Sequence, residues 1–119
     1  MTGHRHYPRS QPVPADPALQ FVFVSCPPEA AEDLARHLVE SRLAACVNIL
    51  PGITSIYRWQ DAVQRDAESL LLIKAPASGF EALRQAVLAR HPYELPEVVA
   101  VNADAVHSPY LAWILASCR

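Results

Sequence analysis

The chain has 119 residues, 51% of them hydrophobic and 18% charged, with a formal net charge of −2. That length supports one core rather than two, and the composition excludes an intrinsically disordered chain. So small a net charge gives no electrostatic pull toward nucleic acid or an anionic membrane, and neither is expected as a partner.

Residues 1–16 hold His4, Arg5, His6 and Arg9 among Pro8, Pro12 and Pro14 without apolar periodicity. They predict a flexible N-terminal tail ahead of a single domain over residues 17–119. No apolar run is long enough for a membrane span, and the start lacks the apolar core of a signal peptide, so the expected compartment is the cytoplasm. Three cysteines at unrelated spacings make neither a disulfide framework nor a structural zinc pattern.

In chain order, the near-continuous apolar run over residues 19–25 predicts a strand buried in a sheet. Pro28, followed by Glu29, Glu32 and Asp33, opens a helix at the positive end of its dipole. Ala31, Leu34, Ala35, Leu38 and Val39 recur at the spacing of one helical face, and the helix is expected to end near Ser41 or Arg42. Residues 44–59 and 69–74, rich in β-branched and apolar side chains, predict a long antiparallel hairpin reversing through the polar segment 60–68. Pro51-Gly52 interrupts the first arm, where Pro cannot donate to the ladder, and predicts a bulge. Beyond it Ile53, Ser55, Tyr57 and Trp59 alternate with Thr54, Ile56 and Arg58.

Ser78 and Glu81 stand at capping-box spacing and predict a second helix that runs to about His91, where Pro92 stops it. Residues 97–103 read as a last strand, and Ser108-Pro109 opens a third helix through Tyr110, Leu111, Trp113, Ile114 and Leu115. The order β-α-β-β-α-β with a terminal helix predicts an α+β fold, the ferredoxin-like sandwich, with an extended hairpin between its second and third strands.

The residues also carry a resemblance. The run Leu43-Ala44-Ala45-Cys46-Val47-Asn48-Ile49-Leu50-Pro51-Gly52-Ile53-Thr54-Ser55-Ile56-Tyr57-Arg58-Trp59 is followed by Glu68 and by Leu71-Leu72-Ile73-Lys74. After these come His91-Pro92-Tyr93-Glu94-Leu95-Pro96-Glu97 and Tyr110-Leu111-Ala112-Trp113-Ile114. Together they resemble the CutA family of divalent-cation tolerance proteins in order and spacing. The resemblance implies the same fold, a homotrimer joined through the hairpin, and binding of copper or another divalent cation.

Cys26 ends the first predicted strand and His91 ends the second helix; thiolate and imidazole are ligands that copper takes. The resemblance implies that these two positions are the metal ligands, although Arg90 stands where some members carry another histidine. Tyr57, Glu68, Lys74 and Trp113 are candidates for an inter-subunit cleft. The family's likeness to trimeric PII signalling proteins implies an alternative function there, a signalling module that binds a small anionic ligand. Cys46 reads as core, and Cys118 has no assigned role. Glu94 and Glu97 read as solvated charges at a turn rather than an acid-base pair, because nothing nearby in sequence supplies a nucleophile. The chain lacks a nucleophile elbow and a glycine-rich phosphate loop, and Pro27-Pro28 withholds amide donors after the first strand, so a non-enzymatic protein is expected.

Overall fold

In the computed structural model, which describes residues 18–118, the first apolar run becomes strand β1, Leu19–Cys26. Its side chains alternate: Val22, Val24 and Cys26 are fully buried with residues of two helices, while Phe21 and Phe23 face the other way and are half-buried. The tail expected over residues 1–16 lies outside the described residues.

Helix α1, Pro28–Glu40, begins at a proline whose missing N–H has no intrahelical partner to lose, and it buries Ala31, Leu34, Ala35 and Leu38. Val39, expected on the same stripe, is 40% exposed. The helix ends in a Schellman motif. Leu43 N–H donates to the Leu38 carbonyl at 3.0 Å and Arg42 N–H to the Val39 carbonyl at 3.1 Å. Arg42 takes the left-handed position, at φ 62°, that glycine usually occupies.

The hairpin comprises β2, Cys46–Trp59, and β3, Ala62–Pro76. It is longer than expected, because only Gln60 and Asp61, at φ 50° and 66°, form the turn. Two consecutive left-handed residues give the mirror-image turn that matches strand twist, and Trp59 then pairs with Ala62. The polar residues after the turn alternate along β3 as cross-strand partners of β2. The bulge falls where Pro51-Gly52 predicts it: Leu50 pairs with Leu70 and Ile53 with Glu68, so Pro51 and Gly52 together oppose Ser69. Gly52 sits at φ 78° with open space around it.

A short 3₁₀ turn, Ala77–Gly79, leads into α2, Phe80–Arg90. The expected capping box does not form: Gly79 is the N-cap and no side chain caps the helix. Glu81 instead accepts two bonds from Arg84, at 2.9 and 2.7 Å, and one from Gln85. Those donors hold its carboxyl at about 2. Strand β4, Val99–Asn102, is shorter than the predicted 97–103 and pairs with Gln20 through Phe23. Helix α3, Ser108–Ser117, completes the chain.

The strands form one antiparallel sheet in the order β2-β3-β1-β4, the ferredoxin-like arrangement. One face is covered by α1 and α2, whose Leu34, Leu38, Leu83 and Val87 pack with Val22, Val24, Leu71 and Ile73. Among the described residues, the opposite face is covered only at one end, where Ile114 of α3 is buried with Leu19 and Ala45. Elsewhere it remains apolar and open, with Val99 and Val101 half exposed beside Phe21 and Phe23. β1 pairs with β3 only over residues 69–76. Beyond that, residues 53–68 project as a two-stranded ribbon, which gives the molecule extents of 56 × 29 × 24 Å.

Candidate functional site

Where β1 ends and α2 stops, Pro92 has forced His91 out of the helix into extended backbone at ψ 135°. The imidazole thereby swings against the sheet. Its Nε2 lies 2.8 Å from the Ser25 carbonyl, and its Nδ1 accepts the Tyr93 N–H at 3.1 Å. Cys26, the next residue along β1, is fully buried. Burial foremost, then the nearby charges of Glu68 and Glu29, push its thiol up from the ordinary value.

The structure therefore brings the two predicted ligands to the same strand end. Both His91 nitrogens are already engaged, however, and among the described residues no three His, Cys, Asp or Glu side chains converge as a metal cluster would. A preformed metal site is not what these residues fit.

The segment after His91 wraps past β1 to the open face, where it walls a cleft of about 460 Å³ at the base of the ribbon. Ser25, Ser55, Tyr57, Trp59, Glu68, Tyr93, Glu94 and Glu97 contribute to its lining, and among the described residues no Lys, Arg or His does. Residue alternation explains the membership: Ser55, Tyr57 and Trp59 share one face of β2 beyond the bulge, and Glu68 pairs with Ile53 on that face. Glu68, 4% exposed, accepts the Tyr93 hydroxyl at 2.7 Å. Desolvation, then that bond and the Glu68 charge, raise the Tyr93 phenol far above its ordinary value. Tyr57 donates its hydroxyl to Asp66, and this bond raises its phenol as well. Ser25 donates to Glu97 at 3.3 Å.

Of the four side chains expected at the cleft, Tyr57 and Glu68 line it in this chain. Lys74 lies further along β3, pairs across the ladder with Cys46 and donates to Asn48. Its Nζ is 3.8 Å from the Cys46 sulfur. Trp113 stacks on Tyr110 along α3, with ring centroids 5.6 Å apart. Cys118 packs beside the small cluster around Ile114. Asp66 and Tyr93 were not singled out from the sequence as site residues. Placing the turn at Gln60-Asp61 would have set Asp66 diagonal to Tyr57, but nothing local in sequence ties Tyr93 to Glu68.

These features define a small α+β protein of ferredoxin-like topology whose polar groups gather at the root of a projecting ribbon. A profile of the CutA1 divalent ion tolerance protein family matches residues 20–117, and the chain belongs to that family. The divalent cation tolerance protein Cut A1 of Thermus thermophilus is 47% identical and superposes with a TM-score of 0.78, over 81% of this chain and 94% of that one. A CutA from Nostoc sp. PCC 7120, described as PII-like, superposes with a TM-score of 0.81 at 37% identity, over 84% of this chain and 97% of that one. Protein CutA of Mus musculus is 44% identical over 114 residues, which span 90% of this chain but 64% of the mouse protein.

The comparisons correct the expected compartment. Relatives from Arabidopsis thaliana and Oryza sativa are chloroplastic, and the Archaeoglobus fulgidus neighbour is periplasmic, so they point away from a simple cytoplasmic assignment. The same fold serves in several compartments, and the folded domain's composition carries no address. Among the described residues no helix is long and apolar enough to cross a membrane.

Proposed function

We propose that this chain is a non-enzymatic homotrimer that binds copper or another divalent cation weakly through Cys26 and His91 and serves in divalent-ion tolerance. The observation that carries the metal reading is the bond from His91 Nε2 to the Ser25 carbonyl, 2.8 Å, which holds an imidazole beside the residue preceding a buried thiol. Thiolate and imidazole together favour copper or zinc over calcium or magnesium. Capture requires His91 to release one of its two backbone partners and Cys26 to lose a proton that burial retains, so affinity rises with pH. Both requirements support weak binding.

Copper competition titrations test this in a background carrying His4→Ala and His6→Ala. Adding Cys26→Ser with His91→Ala is expected to abolish the remaining binding, and an unchanged affinity would overturn the assignment. The PII-like alternative, with a small anionic ligand, is supported by the Nostoc neighbour's description. The acid-lined cleft does not favour an anion, and metal binding therefore stands first.

A further inference from the structure

We infer that a second copy of this chain completes the cleft: the back of one ribbon closes over the acid-lined front of the next. This contact rests on the homotrimer proposed above and names the two surfaces that meet in it. Side-chain alternation sorts the ribbon onto two faces. Ser55, Tyr57 and Trp59 share the front with their cross-strand partners Asp66, Gln64 and Ala62, and it is the front that lines the cleft. Thr54, Ile56 and Arg58 occupy the back with Ala67, Arg65 and Val63.

Charge divides along the same line. Asp66 and Glu68 lie on the front, Glu94 and Glu97 wall the cleft beside them, and among the described residues no cation lines it. The back carries two guanidinium groups, Arg58 and Arg65, both exposed, and no carboxylate. Neither ion pair among the described residues involves these arginines or Glu94 and Glu97. Apolar surface matches too. The three most exposed large hydrophobics of the described residues are Leu95, at 73%, Ile56, at 69%, and Val63, at 66%. Leu95 lines the cleft, and the other two stand beside the arginines on the back.

The sign pattern selects the geometry of assembly. Front against front would oppose carboxylates, and back against back would oppose guanidinium groups; both are penalised as the contact loses water. Only front to back sets unlike charges against each other while covering Leu95, Ile56 and Val63. That contact uses two different patches, so it cannot close as a two-fold dimer and leads to a ring. A small cation or metal ion would neutralise the front but leave the back's apolar side chains in water.

Sedimentation of the full chain and its charge-reversed variants tests this. Arg58→Glu with Arg65→Glu, or Glu94→Arg with Glu97→Arg, turns one face to the sign of the other. Either pair is expected to raise the concentration at which the trimer forms by about ten-fold or more. Combining all four exchanges the two signs and should restore assembly close to the parent's, a recovery that mere damage to the fold would not produce. In a Trp113→Phe background, Trp59 should be shielded from acrylamide in the parent trimer and exposed in the dissociated variants. Trimers indifferent to either reversal, a combined variant that stays dissociated, or an assembled trimer whose Trp59 remains open to the quencher would overturn the contact while the homotrimer stands. A parent chain that sediments as a monomer would instead overturn the homotrimer itself, and the contact with it.

Discussion

Each ring nitrogen of His91 meets the backbone, Nε2 at the Ser25 carbonyl and Nδ1 at the Tyr93 amide. Only the neutral tautomer with the proton on Nε2 satisfies both partners. The same side chain therefore pins α2 and its following loop to β1, a role the sequence does not announce because both partners are backbone groups. Tyr93 is held from two sides, by His91 at its amide and by Glu68 at its hydroxyl. Its raised phenol makes a pH prediction with a definite sign. In the unfolded chain tyrosine ionises near its ordinary value of about 10, whereas in the fold Tyr93 keeps its proton, so the unfolded state binds fewer protons above that pH. Stability is then fully present below about pH 10 and falls as pH rises further. Urea midpoints measured across the alkaline range should decline less steeply in Tyr93→Phe than in the parent chain. Parallel slopes would remove Tyr93 from this account.

At the scale of elements, local sequence and tertiary context contributed differently. The stripe of α1 and the bulge at Pro51-Gly52 were legible because each is a local steric matter: a helical period, a proline without a donor, a glycine free to take φ 78°. The true hairpin turn was not, because Gln60 and Asp61 carry no glycine and the strand beyond them is polar. Likewise Ser78 and Glu81 have capping-box spacing, yet Arg84 and Gln85 claim the carboxylate and the helix starts without a side-chain cap. In the site, Cys26, His91, Tyr57 and Glu68 could be nominated from their types and positions, whereas Tyr93, which joins His91 to Glu68, comes from a loop that meets the sheet only after folding. Arg42 is another local feature whose energetic sign can be tested. A non-glycine residue in the left-handed region is disfavoured by roughly 1–2 kcal/mol, and the Arg42 side chain is exposed. Arg42→Gly is therefore expected to stabilise the chain by up to about 1 kcal/mol after glycine's extra unfolded-state entropy is subtracted, read as a higher midpoint in thermal denaturation.

For the molecule as a whole, the proposed trimer follows from what the isolated chain leaves uncovered. A two-stranded ribbon without a third strand is only marginally stable in water. Here its flank carries Ile56 at 69% exposure and Val63 at 66%, and the sheet's open face adds Val99 and Val101 at about half. Among the described strands β2 also forms one edge of the sheet, an edge that invites another strand. Covering the ribbon and the open face with further copies meets both demands, and a head-to-tail contact must close into a ring or extend into a fibre. The expected behaviour is an unfolding midpoint that rises with protein concentration. Ile56→Asp should dissociate and unfold the assembly in one step, as followed by sedimentation and circular dichroism together. A folded monomer persisting at micromolar concentration would contradict the trimer.

The extra residue at Gly52 has one more consequence, best put as parity. Before it, the even-numbered residues Cys46, Asn48 and Leu50 share a face with Lys74, Leu72 and Leu70; after it, the odd-numbered Ile53, Ser55, Tyr57 and Trp59 occupy that face. The insertion works as a half-step in a two-beat rhythm, and it decides which set of side chains the ribbon shows to the cleft. Deleting Gly52 would remove the extra residue and leave Ile53 opposite Glu68, whereas inserting one alanine after Gly52, with the bulge kept, should shift the beat, present Ile56 and Arg58 opposite Gln64 and Ala62 where Tyr57 and Trp59 stood, and leave β3 in place. The cleft would then exchange two aromatic rings for an aliphatic chain and a guanidinium, which sets a positive charge among its carboxylates. Trp59 fluorescence would report the exchange directly as a change in solvent exposure.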